Sequence, residues 1–307
     1  CMLRHTNNTR ARIQYEITQH PRLAAHVQSP LQELLQIALQ SHRVALNLVQ
    51  DNHDALFNTA QVLTSLAEVT AESRHPSQDQ FSDAIKFLQE AIELFQRCLV
   101  LQELRFTESQ QQASQLEADD SHAPVDDVAE QEPSHAQEQW VAIVEPVTKD
   151  SLVDTAVAQI DALTTLCNLL ASNPDTSISW VEEYSSELIQ SRLPAYVDGS
   201  NRHHEASLAC AKFACALSEV LYRSRRIDVV TYHREVSRVY GPDLDLSADP
   251  DGLCSKADAL SSFNTAVTDL PLNDPDGLSK SLALQWQSLS SALDALAAAS
   301  KIPDANH

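Results

Sequence analysis

Glycine is almost missing from this chain, with 4 residues in 307 against a usual share of about 7%. Tight glycine turns, β-bulges and phosphate-cradling loops therefore have almost nothing to be built from. Aromatic residues make up only 5%, which removes much of the usual material of sheets. Basic residues are scarce too: 21 Lys and Arg stand against 43 Asp and Glu, a formal charge of −22. Such a field repels nucleic acid and anionic membrane and attracts basic proteins. No apolar run approaches the roughly 20 residues needed to span a bilayer, and no signal peptide is visible. The six cysteines, Cys1, Cys98, Cys167, Cys210, Cys215 and Cys254, form no C-x-x-C pair. Four of them sit among apolar residues, which suits small core residues in a reducing compartment, cytoplasmic, nuclear or both.

What is present is helix-forming sequence. Between Ala38 and Gln102, small and apolar residues recur three and four positions apart and so fall on one face of a helix. The small ones set the architecture. Ala38 with Ala45, Ala60 with Ala67 and Ala91 with Cys98 stand where helices cross closely, as in antiparallel helix hairpins. The fold class read from this pattern is all-α.

These residues resemble the tetratricopeptide repeat (TPR) family. Leu56, Ala60, Leu63 and Leu66-Ala67 match its first helix; Ala91, Phe95 and Cys98 match its second, as do Ala38, His42 and Ala45 of the preceding helix. Asp51-Asn52 takes the place of the turn between repeats. Leu stands for the usual Trp, Ala for the usual Gly, and the closing Pro is missing at Gln50 and at Val100-Leu101-Gln102. The match is best over residues 30–105 and decays beyond. It implies a right-handed solenoid of helix hairpins whose first helices line a groove, with Asp54, Asn58, Gln61 and Ser65 on the groove face. The family's members that grip the acidic tails of heat-shock chaperones need Lys or Arg there; Asp54 and Gln61 argue against such a tail.

Taken in order, residues 1–114 read as N-terminal TPR-like hairpins. Residues 1–28 are ambiguous, since Pro21 interrupts Ile13, Tyr15, Ile17, Leu23 and Val27. The start at Cys1-Met2 reads as the end of a repeat, which leaves open whether a piece precedes it. Ser29-Pro30 reads as a cap and first turn, Asp54 as the next cap, 71–80 as a polar loop, and Phe81 to about Ser114 as one long helix. Residues 115–139 carry eight acidic residues between Glu117 and Glu138, no Lys or Arg, and two prolines. That composition predicts an acidic disordered insertion. It is either a linker or an arm that folds over a basic client. Trp140-Val-Ala-Ile-Val144 reads as a run that docks back on the core.

Residues 140–307 read as a C-terminal helical-repeat region: a helix capped by Thr148 or Asp150, then helices at about 176–191, 201–225 and 228–240. Asp249-Pro-Asp-Gly-Leu253 and Asp274-Pro-Asp-Gly-Leu278 repeat 25 residues apart, each before a helix. On the last helix, roughly 276–301, Leu282, Trp286, Leu289, Leu293 and Leu296 share a face expected to seal the array.

The chemistry is thin. The acidic repeat is spaced somewhat like a calcium loop, but its twelfth positions are Asp258 and Ala283 rather than Glu. His203-His204-Glu205 and His233 lack zinc spacing. No nucleophile elbow, Walker loop or dinucleotide fingerprint occurs. The basic stretch from Tyr222 to Arg238 reads as a helix paired with acidic neighbours. The expectation is a protein without enzyme activity, cofactor or metal. It would be an adaptor or dedicated assembly chaperone for a basic protein segment, with no nucleic-acid or membrane partner. The alternative is a structural or regulatory subunit buried in a larger complex.

Overall fold

The computed structural model describes residues 2–27, 29–72, 77–120, 146–173, 178–270 and 275–302, and among them every regular element is helical. In chain order these are α1 (Met2–Gln19), α2 (Pro21–Ala24), α3 (Leu31–Leu48), α4 (His53–Ala71), α5 (Gln78–Asp120), α6 (Lys149–Ala171) and α7 (Ser179–Glu187). A π-helical turn, Leu188–Arg192, leads into α8 (Leu193–Val197), followed by α9 (His203–Arg223), α10 (Val229–Val239), α11 (Pro250–Asp269) and α12 (Pro275–Ala299).

Two layers result. Helices α1, α4, α6, α9 and α11 each touch the next in that order, and α3, α5, α7–α8, α10 and α12 pack behind them. Small residues permit the close approach: Ala38, Ala60, Ala67, Ala91 and Cys98 have no exposed surface, and Ala45 has very little. Phe57 of α4 meets Phe95 of α5 edge to face, with centroids 5.6 Å apart. The core runs without a break from α3 through α4, α5 and α6 to α9. A second cluster joins α9 to α10, α11 and α12. Helix α9 serves both: Ala209, Phe213 and Val220 face the first, Ala211, Cys215 and Tyr222 the second.

Several boundaries differ from expectation, each for a local reason. Pro21 divides the ambiguous N-terminal stretch into α1 and α2, because extended His20 precedes it and Pro21 takes the first helical position. Helix α3 begins at Leu31 with Pro30 as its cap residue and no side-chain cap from Ser29. Asn52, not Asp54, caps α4: its Oδ1 accepts from the N–H groups of Asp54 (2.9 Å) and Ala55 (3.2 Å). Thr148 caps α6 in a box with Ser151. The helix expected over 176–191 extends to Val197 and loosens into the π turn, where Pro194 lacks the N–H that would bond to Gln190. Helix α5 continues to Asp120, so the first six residues of the acidic stretch are helical; Gln, Leu, Glu and Ala propagate a helix readily. Residues 121–139, and the run Trp140–Val144, lie outside the described residues.

The last helix packs the opposite way from its expected orientation. Ser281, Ser288, Ala292 and Ala295 are its buried positions, while Leu282, Trp286, Leu289, Leu293 and Leu296 point outward. Leu284 joins the packed side. Serine and alanine admit the close approach to α11 that leucine would prevent.

Candidate functional site

Asp54, Asn58, Gln61 and Ser65 share one face of α4, in the inner layer. Asp54 is exposed at the first turn, where the His53 Nδ1 lies 3.0 Å from its carboxylate. That hydrogen bond, with help from Arg105 and Arg12, holds the carboxyl below its usual range. Ser65 is engaged by the Tyr15 hydroxyl of α1 at 3.1 Å. Asn58 and Gln61 are half-buried between them.

Carboxylates also stand on the helices that follow one another from α4: Glu68 on α4, Asp161 on α6, Glu219 on α9, and Asp258 and Asp269 on α11. The Thr165 hydroxyl of α6 donates to Glu68 at 3.3 Å, tying the two inner helices together. Burial raises the Glu68 carboxyl, and the like charges of Glu72 and Asp161 raise it further. Asp161 is likewise raised by burial and by Glu205, with Lys212 opposing. Both carboxylates stand at exposed positions.

Two adjoining concavities follow between α6, α9 and α11, sharing Asn168, Glu219 and Ser262. The larger, of about 700 Å³, is bordered by Asp269 and Arg223. The smaller, of about 280 Å³, holds Lys212, Asp258 and Tyr240, whose buried hydroxyl has no hydrogen-bond partner. None of the four α4 residues lines either one.

The basic stretch is spent on structure. Arg223 bridges Glu219 (2.7 Å) and Asp269 (3.0 Å), Arg226 pairs with Glu182 (2.5 Å), and Arg234 and Arg238 both reach Glu235. Asp249 is likewise occupied, its Oδ1 accepting from the Gly252 N–H (2.8 Å) and its Oδ2 standing 2.8 Å from His204 Nε2. Among the described residues no three His, Cys, Asp or Glu side chains converge as metal ligands. Burial pushes the thiols of Cys98, Cys167 and Cys215 up to about 12 and that of Cys210 to about 11, far from the thiolate a nucleophile needs.

One polar network escaped sequence reasoning. Arg192, in the π turn, donates to both oxygens of Glu103 (3.2 and 2.8 Å) and to Gln96 Oε1 (3.2 Å). The Tyr196 hydroxyl donates to Glu103, the Tyr184 hydroxyl to Gln96 (3.1 Å), and Gln159 Nε2 to Tyr184. Six side chains from α5, α6 and the 179–197 segment are locked together, although their sequence separations reach 96 residues. Only the odd placement of Arg192 and Tyr196 within an otherwise apolar helix face hinted at it.

Among the described residues no helix is long and apolar enough to cross a membrane. Compared with family models, with curated proteins and with solved structures, the chain matches none of them.

Proposed function

We propose that this is a non-catalytic, TPR-like protein-interaction protein, an adaptor or dedicated assembly chaperone that holds a basic protein segment on its inner face. The observation that carries the reading is the pair Glu68 and Asp161. Burial holds both carboxyls above their usual range, the Asp161 charge raises Glu68 further, and Lys212 is the cation that acts on Asp161. A lysine- or arginine-rich segment laid along α4, α6, α9 and α11 supplies the missing counter-charge, and the exposed Asp258 of α11 adds to it. The acidic stretch 115–139 adds charge that draws such a client in from solution.

The test is calorimetry of the full chain with an arginine- and lysine-rich peptide and with its Asp/Glu counterpart, at low and high salt. Expected is binding of the basic peptide alone, weakening steeply with salt because exposed charges are screened beyond roughly 8 Å at physiological ionic strength. The double variant Glu68→Gln, Asp161→Asn should weaken it about tenfold, or about 1.4 kcal/mol, with no loss of melting temperature. Equal affinity for both peptides, or for the variant and the native protein, overturns the reading.

A further inference from the structure

The outward face of α12 is the largest apolar feature left uncovered among the described residues. Leu278 is 45% exposed, Leu282 57%, Trp286 75%, Leu289 49%, Leu293 68% and Leu296 48%. Together they present roughly 650 Å² of apolar surface, above the few hundred Å² that monomeric proteins usually leave in one patch. Their spacing carries more information than their area. From Leu282 the steps are four, three, four and three, the alternation of a coiled-coil seam rather than of a helix lying on its own core. Ala283, Ser290 and Ala297 flank the seam on its open side and are small enough for a second helix to come close.

The geometry points to a second copy of this chain as the occupant, with the two α12 helices packed antiparallel about a two-fold axis between Trp286 and Leu289. In that register Trp286 meets Leu289 of the copy and Leu282 meets Leu293, four large layers in all, with Leu296 level with Ser279 at each end. Lys280 of one helix then stands within one residue of the level of Asp294 of the other, on the same outer flank of the pair, whereas parallel pairing sets Lys280 level with Lys280 and Asp294 with Asp294. Within one chain these two residues stand 14 positions apart, about 21 Å along the helix, too far to pair. Two such faces bury at most roughly 1,300 Å², at the lower end of the range of specific interfaces. Because the seam is uncharged while each chain carries −22, salt should strengthen this association by screening the repulsion. Capture of a basic segment responds to salt in the opposite sense, so the two are separable.

Sedimentation of the full chain over a hundredfold range of concentration tests it. Expected is a reversible monomer–dimer equilibrium that tightens with salt. Leu289→Glu should abolish it while the helical circular dichroism stays unchanged. Lys280→Glu and Asp294→Lys should each weaken it two- to threefold, and the two together should restore it, a rescue that only an antiparallel pair produces. A monomer at every concentration overturns the proposal, including one whose Trp286 becomes accessible only after 121–145 is deleted, which would assign the face to the chain's own Trp140–Val144. So does a dimer indifferent to Leu289→Glu.

Discussion

His42 is wholly buried between α3 and its neighbours, and neither ring nitrogen makes a hydrogen bond of good geometry. Burial lowers its pKa to about 4, with the nearby Ala11 carbonyl opposing only weakly. In the unfolded chain the ring titrates near 6.5. Its folded value is depressed, so its contribution is complete above about pH 6.5 and is lost as pH falls toward 4, up to about 3 kcal/mol. The raised carboxyls of Glu68 and Asp161 act in the opposite direction, since acidification neutralises charges that burial disfavours. Chemical denaturation of the native protein and His42→Leu at several pH values separates the two: the variant's relative stability should grow steadily between pH 7 and 4. A constant gap would place His42 in contact with water. A second residue bears the mark of the missing glycines. Helix α9 closes with the Arg226 N–H bonded to Leu221 O and the Arg225 N–H to Tyr222 O, both at 2.8 Å, and Arg225 takes the left-handed conformation at φ 60°. That position suits glycine. Arg225→Gly should stabilise the protein by about 0.5–1 kcal/mol, read as a higher denaturation midpoint.

At the scale of elements, the sequence was most legible where periodicity and small residues coincide. Ala60 and Ala91 are both fully buried, as their spacing required. Ala60→Leu should therefore cost about 1–3 kcal/mol by overpacking, whereas Asn58→Ala, half-buried on the inner face, should cost about 0.5 kcal/mol or less. Equal melting temperatures for Ala60→Leu and the native protein would place the α4–α5 crossing elsewhere. The last helix shows where periodicity stops being informative. An apolar stripe announces a face that seeks burial, but not whether the partner lies in the same chain, and on α12 the serine and alanine side proved to be the inward one. Caps shifted by one or two residues because serine, aspartate and asparagine all suit that position, and only geometry chooses among them. The Arg192 network depends on elements brought together by folding, so local pattern had little purchase on it. Of the α4 residues read as a groove face, all four do share one face, yet the carboxylates on the helices that follow α4 arise from separate elements and become visible as a series only when those helices are stacked.

At the scale of the molecule, the apolar core crosses from α5 to α6 without interruption: Leu88, Phe95 and Cys98 belong to the same cluster as Val153, Ile160 and Leu163. The Cys98 thiol lies 4.0 Å from the Thr155 hydroxyl, and Gln159 Nε2 reaches the Ile92 carbonyl at 3.4 Å. The two helices are successive in the fold but separated by 121–148 in the chain, so covalent continuity there adds little beyond effective concentration. Two polypeptides, one ending at Asp120 and one beginning at Pro146, should therefore find each other when co-expressed and rebuild the native molecule without a peptide bond between them. Co-purification through a tag on one half, with a circular dichroism spectrum matching that of the intact chain, would show it, and halves that stay apart would mean that the α5–α6 surface cannot hold them together on its own. The protein would then serve as a split reporter, its halves reassembling wherever two tethered molecules are brought close.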